Sequence, residues 1–278
     1  MAAIGTTELI EQWLYGRPEK TQKAYLGDIL GALKFMGNPG LDEVDLGLLQ
    51  LYQSHLYHER SLEVSTVRRK VASLRSLLRF AQEQGYLDRN PGVALRSPKD
   101  NRTIDDKILS REQVQAVIDA ASYDHNHAML RFLYASGARA SEICDPLKGL
   151  RWGRCKPQAD GTAIIRLLGK GDKWRTNVLP APVWSETVRL RRLTDTADDR
   201  VFRVGVNRLE EIFKAAAIKA GCPKAVPHHF RHSIISHLIE AGMPLPAVRD
   251  FAGHSNISTT NIYAHASPDQ NPGRYMNF

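Results

Sequence analysis

Pro227-His228-His229-Phe230-Arg231-His232-Ser233-Ile234-Ile235-Ser236-His237-Leu238-Ile239-Glu240-Ala241-Gly242 reads as one helix with both ends marked. Proline suits the first helical position, where its missing N–H costs nothing, and glycine suits the stop. His228 and Arg231 lie three apart just inside the start, so both project from one face near the N-terminus. Unpaired backbone N–H groups and the positive end of the helix dipole favour a phosphate there. His228 and His232 also have the i, i+4 spacing of a zinc-binding helix. His229 stands where that motif needs glutamate, however, and Arg231 would set a cation beside the metal, so no metal site is expected.

Downstream, 245–252 reads as a helix stopped by Gly253, and His254 is presented from the turn that follows. A short helix capped by Ser258 then carries Tyr263, nine residues after His254. Upstream, 206–220 is helical. Before it, the β-prone runs 162–168 and 175–179 flank Gly169-Lys170-Gly171-Asp172-Lys173, which predicts a β-hairpin with a basic tip. Further back, Ser110 stands three residues ahead of Gln113, a capping-box spacing that opens a helix through 121, and a second helix runs from about 127 to 136. Between these helices and the hairpin, Gly137-Ala138-Arg139-Ala140-Ser141-Glu142 puts an arginine in a small-residue turn, from which its side chain can reach into a cleft.

The remainder, residues 1 to about 95, reads as helices, with 21–35 and 64–84 placing apolar residues three and four apart. In the second of these Val64, Val67, Val71, Leu74, Leu78 and Ala81 form an inward stripe, while Arg68, Arg69, Lys70, Arg75 and Arg79 gather five cations on one helix. That is either a solvated basic face or a helix laid against DNA. From 90 to 107 the text turns to Asn-Pro-Gly, Ser-Pro-Lys and polar residues, with little to bury. The organisation expected is a helical domain at 1–95, a linker at 96–108, a second domain at 109–265 and a tail at 266–278.

With 278 residues, two cores are more natural than one. The composition is that of a globular protein, and no apolar run approaches a membrane span or a signal peptide. Cys144, Cys155 and Cys222 are odd in number and widely spaced, which suits a reducing cytoplasm better than a disulfide framework. A formal charge of +8 favours an anionic partner, through the counterions released when Lys and Arg neutralise phosphates.

The order of the pieces is what identifies them: Arg139, Lys170 on a hairpin tip, His228-x-x-Arg231, His254 and Tyr263. Through Ala-Ser-Gly-Ala-Arg-Ala-Ser-Glu, Gly-Lys-Gly-Asp-Lys-Trp-Arg, Pro-His-His-Phe-Arg-His and Gly-His-Ser-Asn-Ile-Ser-Thr-Thr-Asn-Ile-Tyr, the chain resembles the tyrosine recombinases and phage integrases, especially the compact Xer-type members. The stretch from Ser65 to Asn90-Pro91 is similar to the end of that family's helical core-binding domain. The resemblance implies a mostly α fold with a small β-sheet, in which a helical DNA-binding domain and a mixed α/β catalytic domain close round a duplex.

It also implies a chemistry. Arg139 and Arg231 would neutralise the charge that builds on the phosphate oxygens, a task suited to a planar guanidinium. Tyr263 would attack phosphorus, His228 would take its proton, Lys170 would protonate the departing 5′ oxygen, and His254 would donate a further hydrogen bond. Glu142 matches an acidic position that supports Arg139 or His228. Arg68, Arg69, Lys70, Arg75, Arg79, Lys173 and Arg175 are the expected DNA contacts. Four protomers would work on two DNA sites, with no cofactor, because the covalent phosphotyrosine retains the energy of the broken bond. Gly169-Lys170 lacks the remaining residues of a nucleotide-binding P-loop.

A type IB topoisomerase would use the same nucleophile, and a non-enzymatic helix-turn-helix regulator would bind DNA through 227–252, but the latter leaves Arg139, Lys170 and Tyr263 without a purpose. Two departures from the family pattern stand out. Asp145-Pro146-Leu147-Lys148 looks like an insertion after Glu142. The tail after Tyr263 is short, carries Pro268 and Pro272, and ends in Tyr275, Met276 and Phe278, which could serve as an apolar anchor.

Overall fold

The computed structural model describes residues 5–98, 104–169, 171–254, 256 and 258–264, with the backbone alone at 258, 261 and 264. Two compact units divide the chain, Met1–Asn101 and Arg102–Phe278.

The first unit is helical. Helices α1 (Thr6–Leu14), α2 (Glu19–Phe35), α3 (Leu46–Ser54) and α4 (Val64–Glu83) surround a core that includes Leu9, Trp13, Ile29, Leu49, Val71, Leu74 and Leu78. The stripe read along α4 is buried from Val67 onward, and Leu77 joins it, while Val64 at the helix start is half-buried. The basic side of α4 is less uniform than its sequence suggests. Asp28 on α2 is 3% exposed and receives hydrogen bonds from Arg69, from Lys70 Nζ at 3.0 Å and from the Ser73 hydroxyl. Two of the five cations therefore hold α4 against α2, whereas Arg68 and Arg79 stay exposed.

In the second unit, α5 (Arg111–Asp119) opens with the expected reciprocal cap: Ser110 Oγ accepts from the Gln113 N–H and Gln113 Oε1 accepts from the Ser110 N–H. α6 (Asp124–Ser136) ends on Gly137 in the left-handed conformation, and the short α7 (Ala140–Cys144) follows. Then comes an antiparallel sheet of β1 (Cys155–Pro157), β2 (Ala163–Leu168) and β3 (Trp174–Leu179), in that spatial order. The hairpin pairs Leu168 with Trp174 across the tip. Strand β1 is three residues long and ends in proline, too short to show as alternation in the sequence. Strict alternation does hold on β3, where Arg175, Asn177 and Leu179 turn inward and Trp174, Thr176 and Val178 outward.

Among the described residues five further helices follow: α8 (Ala181–Val188), α9 (Val206–Lys219), α10 (Pro227–Glu240), α11 (Leu245–Ala252) and α12 (Ser258–Ala264). The main core takes side chains from α5, α6, α9, the sheet and Phe230 of α10, and a smaller cluster joins Ile235, Ile239, Val248, Ala252 and Tyr263. Gly242 and Gly253 follow α10 and α11 with positive φ, as stop residues do. Lys170, the side chain of Ser258 and the tail with Tyr275, Met276 and Phe278 lie outside the described residues. No described helix is long and apolar enough to cross a membrane.

Replacing both Arg69 and Lys70 by alanine leaves the buried Asp28 carboxylate with the Ser73 hydroxyl. Urea unfolding of that double variant is expected to show a loss of about 3 kcal/mol, whereas Arg68→Ala with Arg79→Ala should leave the midpoint unchanged.

Candidate active site

Three loops of the second unit meet at α10, and Arg231 is what joins two of them. Its guanidinium is 2% exposed and donates to the Gly137 carbonyl, at the end of α6, and to the Ala252 carbonyl, at the end of α11. Asn177 on β3 repeats the bridge one residue earlier on each side: its Nδ2 donates to Ser136 O at 2.8 Å and to Phe251 O at 3.1 Å. Both glycines are required. Gly137 has φ +58, and a Cβ there would lie 2.5 Å from the Phe251 ring; Gly253 has φ +64, and a Cβ would lie 2.8 Å from Arg175 Cδ. Arg139 and His254 each follow one of these stapled glycines.

Glu142 fixes the direction of Arg139. Its carboxylate, 3% exposed, accepts from the Arg139 N–H at 2.7 Å and from Arg139 Nη1 at 2.8 Å. It also takes both ends of the Arg175 guanidinium, at 2.7 and 2.6 Å. Burial alone would raise the Glu142 carboxyl, but hydrogen bonds and charge from Arg175 and Arg139 outweigh it and hold the group below the usual carboxylate range. Arg175, expected as a DNA contact, ties β3 to α7 through this ion pair and also lines the cavity beside Arg139. Arg139 is 33% exposed and lines an open cavity of about 580 Å³ together with Lys173, Trp174, Arg249 and His254.

The inserted segment after Glu142 turns on its own aspartate: Asp145 Oδ1 accepts from the Leu147 and Lys148 N–H groups. Lys148 then pairs with Asp172 at 2.5 Å, reaching the tip of the hairpin that carries Lys170. Trp174, beside the cavity, is flanked by Arg154 at 4.9 Å and Arg166 at 5.1 Å from its ring centre.

Tyr263 comes from α12, with its ring 2% exposed in the small apolar cluster. Its hydroxyl is hydrogen-bonded to His232 Nδ1, not to His228, the acceptor expected from the sequence. His228 sits one turn earlier, its ring edge-on to that of His232 at 4.5 Å. His254 Nδ1 is 3.0 Å from the Thr260 hydroxyl, which ties the turn after α11 to α12.

The imidazoles of the site are held below the usual histidine range. Burial first, then Arg231 and Arg139, lower His228 to about 4. Burial, then the three arginines, lower His254 to about 4. Burial, then Arg139 and Arg175, bring Arg231 down to about 9. Burial pushes the Tyr263 phenol up to about 12, with Arg231 opposing. The site thus gathers fixed positive charge, neutral imidazoles and a protonated phenol, an arrangement suited to an anionic diester.

Comparison with known proteins supplies the family. The chain belongs to the phage integrase family, whose model matches residues 107–270, while the model for the phage integrase N-terminal SAM-like domain matches residues 15–85. The tyrosine recombinase XerD of Staphylococcus aureus is 29% identical over 284 residues, covering 95% of this chain and 93% of the relative. Among solved structures, the XerH recombinase bound to its difH substrate in a pre-cleavage complex aligns with TM-score 0.68 at 19% identity, over 91% of this chain and 78% of that one. A lambda integrase tetramer bound to a Holliday junction aligns with TM-score 0.73 at 13% identity, over 94% and 78%.

The sequence singles out His232 only for its metal-helix spacing and Arg175 only as a DNA contact, and it passes over Asn177. The alternation of β3 marks Arg175 and Asn177 as inward polar residues.

The lowered histidines carry a pH signature. An unfolded histidine titrates near 6.5, so between about 6.5 and 4 the unfolded chain binds protons that His228 and His254 refuse. Stability from these groups is whole above pH 6.5 and falls as the pH drops toward 4. Urea midpoints measured across that interval should fall, and the fall should be shallower in the His228→Gln, His254→Gln double variant.

Proposed function

We propose that this chain, a tyrosine site-specific DNA recombinase by family, cuts and rejoins DNA through a 3′-phosphotyrosyl bond to Tyr263. The family also favours strand exchange over the topoisomerase and regulator readings. The observation that carries the assignment is the convergence, within one chain, of the Tyr263 hydroxyl with the helix that bears His228 and Arg231.

A backbone phosphate enters the cavity that Arg139 lines. Arg139, held in direction by Glu142, neutralises the non-bridging oxygens as phosphorus becomes five-coordinate, and Arg231 adds its charge from beneath. His228 and His254, both neutral, can each donate an N–H to the phosphate without adding fixed charge. Lys170 protonates the leaving 5′ oxygen, and a 5′ hydroxyl from a second strand reverses the attack, so strands are rejoined without a nucleotide cofactor. Lys173 and the exposed Arg68 and Arg79 contact the duplex backbone, which sets affinity and not sequence. A tetramer on two sites, as the lambda integrase relative forms on its junction, would complete the exchange.

On a nicked duplex carrying the target site, the wild-type protein should form an adduct that survives detergent, and Tyr263→Phe should form none. Persistence of the adduct in that variant would remove Tyr263 from the chemistry. Arg139→Ala should slow adduct formation by roughly 10²-fold or more while leaving most of the binding to DNA, measured by gel shift.

A further inference from the structure

Tyr263 needs somewhere to send its proton, and the residue touching its hydroxyl is His232. The two rings lie 5.8 Å apart, and Nδ1 of the imidazole is within hydrogen-bonding distance of Oη. His228 is set differently: it faces Arg139, Arg231 and Glu142, the groups that gather round the phosphate. One helical turn thus separates two histidines into two positions, one against the phosphate-binding arginines and one against the phenol.

We propose that His232 is the catalytic base of strand cleavage, accepting the Tyr263 proton at Nδ1, with His228 left as a hydrogen-bond donor to the phosphate. The inference rests on the assignment of Tyr263 as nucleophile. A base must be neutral at rest, and the groups facing His232 keep it so: His228, His229 and Arg231 on its own helix and Lys107 from the turn at Asp105–Lys107, with Tyr263 opposite on α12. Burial first, then these neighbours, lower it to about 3. Accepting the phenol proton at Nδ1 requires the tautomer that carries the imidazole's own proton on Nε2.

The step balances. As the bond from Oη to phosphorus forms, the phenol proton passes to Nδ1 and leaves an imidazolium. The bond from phosphorus to the 5′ oxygen breaks, and that oxygen takes a proton from Lys170. One cation is made and one neutralised. A phenol near 12 does not give its proton outright to an imidazole near 3, so transfer accompanies attack, when the oxygen is losing its basicity to phosphorus. The anionic diester beside the arginines supplies the charge that makes the imidazolium tolerable. Rejoining runs the same path backward, with His232 returning the proton to the tyrosine oxygen.

The test is single-turnover cleavage of the nicked duplex by the full-length chain, from about pH 6 to about pH 9. His232→Ala should be slower by roughly 10²-fold near neutrality, with DNA affinity unchanged. Its rate should climb about tenfold per pH unit, as expected when hydroxide replaces the imidazole, where the wild type is flat; added imidazole should restore part of the rate. His232→Gln accepts a hydrogen bond but no proton, and should be equally slow. A substrate with a bridging sulfur in place of the 5′ oxygen needs no acid, and should leave His232→Ala slow while rescuing Lys170→Ala. Wild-type rates in His232→Ala or His232→Gln would overturn the proposal and reduce His232 to a group that holds the phenol in place. An adduct in Tyr263→Phe would instead bring down the nucleophile assignment itself.

Discussion

The catalytic unit depends on one buried cation placed between the ends of two helices. Helix C-termini carry partial negative charge on unpaired carbonyls, and α6 and α11 both end where Arg231 can donate to them. Burial, then Arg139 and Arg175, disfavour the charged form of Arg231 and lower it to about 9. Two charge-assisted hydrogen bonds at about 1.5 to 3 kcal/mol each offset that cost. In return the positions of Gly137 and Gly253 are fixed, and so are Arg139 and His254 beyond them. Lysine could not do this, because a single ammonium cannot present the planar fork that spans two carbonyls. Asn177 braces the same two chain segments with a neutral amide, so the geometry does not rest on charge alone.

Glu142 solves the problem that such a concentration of cations creates. Arg139, Arg175 and Arg231 repel one another, and the carboxylate among them accepts four hydrogen bonds from the first two. It also packs against the hairpin, since a Cβ on Gly169 would lie 3.3 Å from its Oε1. One acidic side chain therefore links the turn bearing Arg139, strand β3 and the loop that leads to Lys170. Its charge balances Arg175 while Arg139 keeps a third of its surface open to the cavity. The site is left with a net demand for an anion.

Much of this was legible in the sequence, and the reasons differ by residue. The helical first part, the capping box at Ser110 and the glycine stops follow from local rules, because each involves residues within four positions of one another, and the hairpin follows from two β-prone runs either side of a short glycine-containing turn. The family resemblance rested on ordered motifs, and the family match upholds it. The pairing of Arg69 and Lys70 was not legible on α4: periodicity gives the side of a helix and not its partners, and Asp28 lies more than forty residues from both. The same limit hid the pairing of Arg175 with Glu142 and of Tyr263 with His232. Side chains that meet across 33 or 31 positions leave no local trace.

Reactivity is held back by the same features that prepare it. The Tyr263 ring lies in an apolar cluster that raises its phenol, and its hydroxyl is hydrogen-bonded to an imidazole that burial, ahead of the neighbouring charges, keeps neutral. Neither group is reactive toward water in that state, because the phenolate that would attack is scarce. Negative charge placed near Arg139 and Arg231 makes an imidazolium cheaper, because it offsets the arginine charge that adds to burial in keeping the imidazoles neutral. On the roles proposed above, the diester acts as its own trigger for a phenol buried among apolar side chains. Control lies in electrostatics that the substrate completes, and the stapled loops around Arg231 keep those charges in register until it does.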